Sequence, residues 1–168
     1  MIINLNKFLA SDEKFFNVNR DFIIDDEEFL ARTHLNNTIV FNGDFFKVDD
    51  NILLSGTLKY NYSEVCARCL TEFQNEVETK FEAIVVRNNE EDEDESDEIK
   101  LVIEDGCVNL DDNIKQLVYL SMPMKSLCKD DCKGICPTCG VNLNEEECKC
   151  QNIITDPRLE KLKTLLKD

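Results

Sequence analysis

The sequence predicts an α+β protein: an antiparallel β-sheet or partly open barrel with a few short helices and a cysteine-rich, zinc-ribbon-like C-terminal segment. Three observations carry this expectation. Long stretches alternate apolar and polar residues with a period of two, the mark of half-buried strands. Helical stripes are confined to two short stretches late in the chain. Eight of nine cysteines fall in close-set groups, six of them between residues 128 and 150.

Residues Ile39 to Val48 are rich in Phe, Val and Ile and end at the turn signal Asp49-Asp50-Asn51. Leu54, Leu58, Tyr60 and Tyr62 then share one side of a strand, with Ser55, Thr57, Lys59 and Asn61 on the other. From Phe73 the alternation is cleanest, with Phe73, Asn75, Val77, Thr79, Phe81, Ala83 and Val85 opposite Gln74, Glu76, Glu78, Lys80 and Glu82. A meander of three long strands over roughly 38–48, 52–65 and 71–87 follows. Cys66-Ala67-Arg68-Cys69 sits at the hairpin tip between the last two, and Ile99 to Glu104 returns as a further strand. Ile114, Leu117, Val118 and Ser121 stand at helical spacing, with Asp111 or Asp112 as N-cap and Pro123 as the stop. Thr155-Asp156-Pro157 opens a terminal helix whose stripe is Leu159, Leu162, Leu165 and Leu166. The chain thus divides into a β-rich domain, 1–127, with an acidic loop at 89–98, a cysteine-rich zinc-binding segment, 128–155, and a C-terminal helix, 156–168.

The 168 residues carry 19 Lys+Arg against 35 Asp+Glu, a net charge of -16. That excludes a strongly basic, general nucleic-acid binder, because phosphate affinity comes from concentrated Lys and Arg. Ten Phe and abundant Ile, Leu and Val exclude full disorder. The eight acids of residues 90–98 supply half of the net charge, and a like-charge run repels itself into a solvated loop. The N-terminal residues show no basic stretch followed by an apolar one, so no export signal is expected, and no apolar run is long enough to span a bilayer. The expectation is a cytoplasmic protein with reduced thiols and no membrane partner. There, close-set cysteines are metal ligands before they are disulfides.

Tetrahedral zinc in a closed structural site takes four thiolates, and eight clustered cysteines make two such sets. The best-defined piece is Cys136-Pro137-Thr138-Cys139-Gly140, where the residue after the second cysteine needs a positive φ that glycine adopts cheaply. Cys148 and Cys150 close this site within a short loop. The other site joins Cys66 and Cys69 to Cys128 and Cys132 across a long loop, tying the β-domain to the cysteine-rich segment. Because Cys128, Cys132 and Cys136 are evenly spaced, the spacing leaves open which of them joins which set. Cys107 stands alone as a free thiol. A catalytic zinc keeps an open position and usually a histidine ligand. The single histidine, His34, lies far from the cysteines, and the zinc-deaminase pattern is absent. Isolated glycines build no phosphate cradle. No enzyme and no small-molecule substrate are expected.

Cys66-Ala67-Arg68-Cys69-Leu70, Met122-Pro123-Met124, Leu127-Cys128, Asp131 to Gly140, Asn142-Leu143-Asn144, Cys148-Lys149-Cys150 and Asp156-Pro157-Arg158-Leu159 occur in that order. This series resembles the YceD family, the large ribosomal RNA subunit accumulation proteins, in its cysteine-rich form. The resemblance covers about residues 36–168. It implies a role in the accumulation of 23S-type ribosomal RNA, hence in large-subunit assembly. It also implies that the ligand-like cysteines are Cys66, Cys69, Cys128, Cys132, Cys136, Cys139, Cys148 and Cys150. Arg68 matches the family motif, either neutralising the thiolates or presenting a cation to a phosphate.

The acidity favours a basic large-subunit ribosomal or assembly protein as partner. Contact with precursor rRNA is then confined to a local patch drawn from Arg68, Lys125, Lys129, Lys133 and Lys149. The alternative is a redox-sensitive zinc-thiolate binding module or holdase, which requires exposed, readily oxidised cysteines.

Overall fold

Period-two alternation fixes which face of a strand turns inward, and the three expected long strands form on that pattern. They are β3 (Leu35–Val48), β4 (Asn51–Val65) and β5 (Glu72–Val86) in the computed structural model, which describes residues 1–49, 51–87 and 99–150. The acidic loop expected at 89–98 and the helix expected at 156–168 lie outside the described residues. Antiparallel registers Phe45↔Leu54 and Leu54↔Ala83 bring Phe41, Phe45, Leu54, Leu58, Tyr60, Tyr62, Phe81, Ala83 and Val85 into one core.

Four further elements precede these strands in the chain, and two strands and a helix follow them. They are β1 (Ile2–Asn4), α1 (Asn6–Ala10), β2 (Phe15–Ile23), α2 (Glu27–Thr33), β6 (Ile99–Glu104), β7 (Cys107–Asn109) and, beyond them, α3 (Asp111–Ser121). The seven strands form one sheet in the order β1-β7-β6-β5-β4-β3-β2, curled into an open half-barrel. β6 enters parallel to β5, with Ala83↔Ile99 and Val86↔Val102, whereas the other pairs are antiparallel. A parallel neighbour needs a crossover of about a dozen residues, which is the separation between Val86 and Ile99.

The curl has a local cause. Gly43 and Gly56 pair directly across β3 and β4 on the inner face. A Cβ on either would run into an aromatic ring, Phe41 over Gly43 and Phe81 over Gly56. The two rings lie 6.4 Å apart and fill the space the glycines leave. On the concave side α3 inserts Ile114 and Val118, and Tyr60 Oη stands 2.7 Å from Ser121 Oγ. At the other end Phe8 of α1 stacks on Phe16, and Lys47 Nζ donates to the Phe8 and Ser11 carbonyls at 2.6 Å each.

The cap of α3 differs from expectation. Asp111 and Asp112 lie in its first turn, and the N-cap position is Leu110, which has no side-chain cap. Leu110 is fully buried, so packing fixes the helix entry, and Asn109 Oδ1 accepts the Asp111 N–H at 3.0 Å. The two acids still favour the positive end of the helix dipole. The helix stops at Ser121, with Met122 extended before Pro123 as the proline requires. Among the described residues no helix is long and apolar enough to cross a membrane.

Candidate metal centre

The β4–β5 hairpin ends in a tight turn that presents Cys66 and Cys69, both buried. Residues 126–132 run alongside this tip. Ala67 N–H donates to the Ser126 carbonyl at 2.9 Å, and the buried Ser126 hydroxyl reaches the Glu64 carboxylate. The result is one group of four sulfurs, Cys66, Cys69, Cys128 and Cys132, and a second of Cys136, Cys139, Cys148 and Cys150. Within each group all ligand atoms lie within 4.8 Å of one another. Specific pairs stand at 3.8 Å (Cys66–Cys132), 3.6 Å (Cys69–Cys128), 3.7 Å (Cys139–Cys148) and 3.3 Å (Cys136–Cys148). A zinc–sulfur bond of about 2.3 Å in tetrahedral geometry puts its sulfurs about 3.8 Å apart. The donor set therefore fits a four-thiolate ion, and all nine cysteines are free of disulfides. The evenly spaced trio divides with Cys128 and Cys132 in the first group and Cys136 in the second.

The local folds of the two Cys-x-x-Cys turns match. Leu70 N–H donates to the Cys66 carbonyl at 3.0 Å, and Gly140 N–H to the Cys136 carbonyl at 2.8 Å. The residue after the second cysteine has positive φ in both, 74° at Gly140 and 60° at Leu70. The turn aims backbone N–H groups at sulfur, Arg68 N–H at Cys66 (3.5 Å) and Thr138 N–H at Cys136 (3.4 Å). The second group closes on a short hairpin, in which Cys136 N–H donates to the Val141 carbonyl and Leu143 N–H to the Gly134 carbonyl.

Four sulfurs this close cannot all ionise without a cation among them. Burial pushes the Cys66 thiol up, but the N–H groups of Cys69, Cys128 and Arg68 outweigh it and bring it to about 6. The N–H groups of Cys139 and Thr138, with the Cys148 thiol, hold Cys136 at about 6. Burial and the neighbouring sulfurs push Cys128 up to about 12, and the Cys139 and Cys148 sulfurs do the same to Cys150. Each group thus holds thiols pushed in opposite directions by their surroundings, a conflict that a divalent ion resolves.

Several contacts were not legible in the residue pattern. Asn144 Nδ2 stands 3.3 Å from Cys132 Sγ while its Oδ1 accepts the Lys133 N–H at 2.9 Å. Asn142 Nδ2 reaches the Thr71 hydroxyl at 3.4 Å, and that hydroxyl lies 3.4 Å from Cys69 Sγ. These asparagines bind the second hairpin to the first sulfur group. The Asn-x-Asn spacing was the available signal. Arg68 makes a contact that neither expectation named. Its guanidinium donates to the carbonyls of Cys132 (3.0 Å) and Asp130 (3.4 Å), clamping the loop that supplies two of the sulfurs. Lys125, Lys129, Lys133 and Lys149 are exposed, but Asp130, Asp131, Glu145, Glu146 and Glu147 are exposed around them. Cys107 is half-buried on β7, and His34 ends α2 in a left-handed conformation, both apart from the two groups.

The chain matches the YceD family, described as large ribosomal RNA subunit accumulation protein, over residues 54–166. It is 34% identical over 121 residues to an uncharacterized protein of Mycobacterium tuberculosis, covering 71% of this chain and 58% of that protein. The chain therefore spans little more than half of that relative's length. A chloroplastic large ribosomal RNA subunit accumulation protein of Arabidopsis thaliana is 37% identical over 43 residues, 26% of this chain and 13% of that protein. The corresponding protein of Zea mays is 29% identical over 65 residues, 38% of this chain and 22% of that protein. No solved structure matches. The matched residues take in all eight clustered cysteines and most of the β4–β5 hairpin, and the chain belongs to the YceD family of large ribosomal RNA subunit accumulation proteins.

Proposed function

We propose that the protein is a non-enzymatic factor in large ribosomal subunit assembly, supports accumulation of 23S-type rRNA, and acts by binding a basic ribosomal or assembly protein. Two structural zinc ions, one in each sulfur group, hold its cysteine-rich segment on the β4–β5 hairpin. The observation that carries the reading is the pairing of two closed four-cysteine groups with family membership. Closed sites leave no position for substrate, so the metal builds a surface rather than a reaction centre. A protein partner is favoured over bare RNA by charge. Two zinc ions against eight thiolates would add four negative charges to the -16 of the chain. The five cations near the sulfur groups face five acids in the same segment, so no net positive patch opposes that field.

Affinity capture of the full chain from growing cells, with protein and RNA both identified and repeated after nuclease, tests the reading. Large-subunit proteins retained after nuclease are expected. Recovery of rRNA alone, lost on nuclease treatment, would overturn the protein-partner assignment. Elemental analysis of freshly reduced protein is expected to find about two zinc ions per chain, as two four-thiolate sites require. The exposure of Cys139 and Cys150 favours a second reading, a redox-sensitive module. Zinc retained and thiols unmodified after mild peroxide would remove it.

A further inference from the structure

Hydrogen bonding along β2 alternates between its two sides. Just beyond its ends, Lys47 N–H donates to the Lys14 carbonyl at 3.0 Å and Ile24 N–H to the Asn37 carbonyl at 2.9 Å. Both pairs continue the β2–β3 register, so the even-numbered residues of β2 turn their N–H and C=O groups toward β3. The odd-numbered residues, Phe15, Asn17, Asn19, Asp21 and Ile23, turn theirs away. On that side, among the described residues, β2 is the last strand of the sheet. The five odd side chains are exposed, Phe15 by 52% and Ile23 by 59%, whereas Val18 is buried and Phe16 and Phe22 pack on the core. An edge of nine residues runs about 30 Å. Native proteins blunt such an edge with lysine, proline or a bulge. The segment from Phe15 to Ile23 contains neither residue, and its pairing with β3 is unbroken.

The edge is complementary to itself, and that selects the occupant. Antiparallel pairing centred on Asn19 sets Phe15 opposite Ile23 of a second copy, Asn17 opposite Asp21, and Asn19 opposite Asn19. Each of these odd-with-odd pairs exchanges two backbone hydrogen bonds, using the groups that β3 leaves unused. On the inner face Phe16 meets Phe22, and Val18 meets the stem of Arg20. No like charges stand opposite each other within the strand. Asn17 Nδ2 already donates to Asp44 Oδ1 at 2.6 Å, so its amide would stand between Asp44 and the second copy's Asp21. A centre at Val18 would instead set Phe15 against Asp21, and a centre at Arg20 would set Ile23 against Asn17. Only the Asn19 register matches apolar with apolar and polar with polar at every position. It also extends the outward apolar row Phe15–Phe46–Leu53–Ile84 by one strand, with Ile23 of the second copy beside the Phe15 ring.

We propose that β2 pairs antiparallel with β2 of a second copy of this chain, centred on Asn19, and joins the two sheets into one. The contact is isologous, so a single two-fold axis through Asn19 closes it and leaves no further β2 edge to propagate. Neither sulfur group contributes a residue to it.

The test measures self-association of the full, zinc-loaded chain by sedimentation in about 0.15 M salt, which screens Glu13 and Asp25 where they approach across the strand ends. The wild type is expected to dimerise. Asn19→Lys places two ammonium groups opposite each other at the axis and is expected to weaken the dimer about tenfold or more. Asn17→Lys places an ammonium between Asp44 and the second copy's Asp21 and is expected to bind at least as tightly as the wild type. Both variants relieve the overall negative charge equally, so only the pairing register separates them. Amide exchange resolved by NMR is expected to slow with protein concentration at Phe15, Asn17, Asn19, Asp21 and Ile23, a readout that needs no variant. A monomer at every concentration overturns the inference, and so does a monomer in which those five amides are already protected. A dimer that responds alike to the two lysine substitutions also overturns it, because the copies then meet elsewhere.

Discussion

Leu70 and Gly140 occupy the same place in two matching turns, yet only one is glycine. A left-handed conformation costs an L-residue roughly 1–2 kcal/mol, and Leu70, 63% exposed, recovers little of it by burial. Leu70→Gly is therefore expected to stabilise the zinc-loaded protein by about 1 kcal/mol in urea denaturation. A lowered midpoint would instead show that Leu70 contributes packing at the hairpin tip. Gly56 makes the opposite case. Its missing Cβ is the space the Phe81 ring fills, so Gly56→Ala is expected to cost roughly 1–3 kcal/mol through overpacking. The cost should shrink when Phe81→Leu is added, and strict additivity in that cycle would dissociate the glycine from the ring. Gly43 and Gly56 stood in the sequence as isolated glycines. Only register pairs them and sets two rings over them.

Among the elements, α2 and α3 are joined by one charged contact that also caps a helix. The Asp26 carboxylate accepts the Phe29 N–H at 3.0 Å as N-cap of α2, and Lys115 Nζ on α3 donates to it at 2.8 Å. The Lys115 ammonium first, and the Phe29 N–H after it, hold the Asp26 carboxyl below the ordinary aspartate range. A carboxyl with a lowered folded value stabilises the fold above its unfolded pKa of about 3.9 and loses that contribution as pH falls through the folded value. Stability measured from pH ~6 downward is therefore expected to fall less steeply in Asp26→Asn than in the wild type, with the variant less stable at neutral pH. Identical profiles would assign Asp26 no role in joining the helices. The long strands were legible because burial on one face imposes a period of two over many residues. The short strands β1 and β7 and the helices α1 and α2 were not, because each is three to seven residues long and too short to display a period. Their places are set by the neighbours they pair with.

At the scale of the whole molecule, two attachments differ in exposure. The group on the hairpin tip has three buried cysteines, whereas the second group has Cys139 and Cys150 exposed and Cys148 half-buried. A chelator is therefore expected to remove zinc in two steps, from Cys136, Cys139, Cys148 and Cys150 first. Cys139→Ser should abolish the faster step alone, as read with a zinc-responsive dye. Removal of both ions is expected to unfold residues 128–150, which contribute no member of the main core, while the circular dichroism of the sheet persists. Cooperative loss of the sheet with the first ion would mean that the segment and the sheet form one folding unit.

The sequence by itself determined the strand faces, the hairpin that carries Cys66 and Cys69, and the eight sulfurs, because periodicity and ligand spacing are local properties of the chain. It also exposed the imbalance of charge and where half of it lies. Tertiary structure alone decided how the evenly spaced Cys128, Cys132 and Cys136 divide, since that depends on which loop lies beside the hairpin tip. It gave Arg68 two carbonyls to clamp, on a loop more than sixty residues away. It also aligned Phe15, Phe46, Leu53 and Ile84, residues from four separate strands, into one exposed row. Each of these is set by contacts between residues far apart in the chain, where register and packing, not local pattern, choose the neighbour.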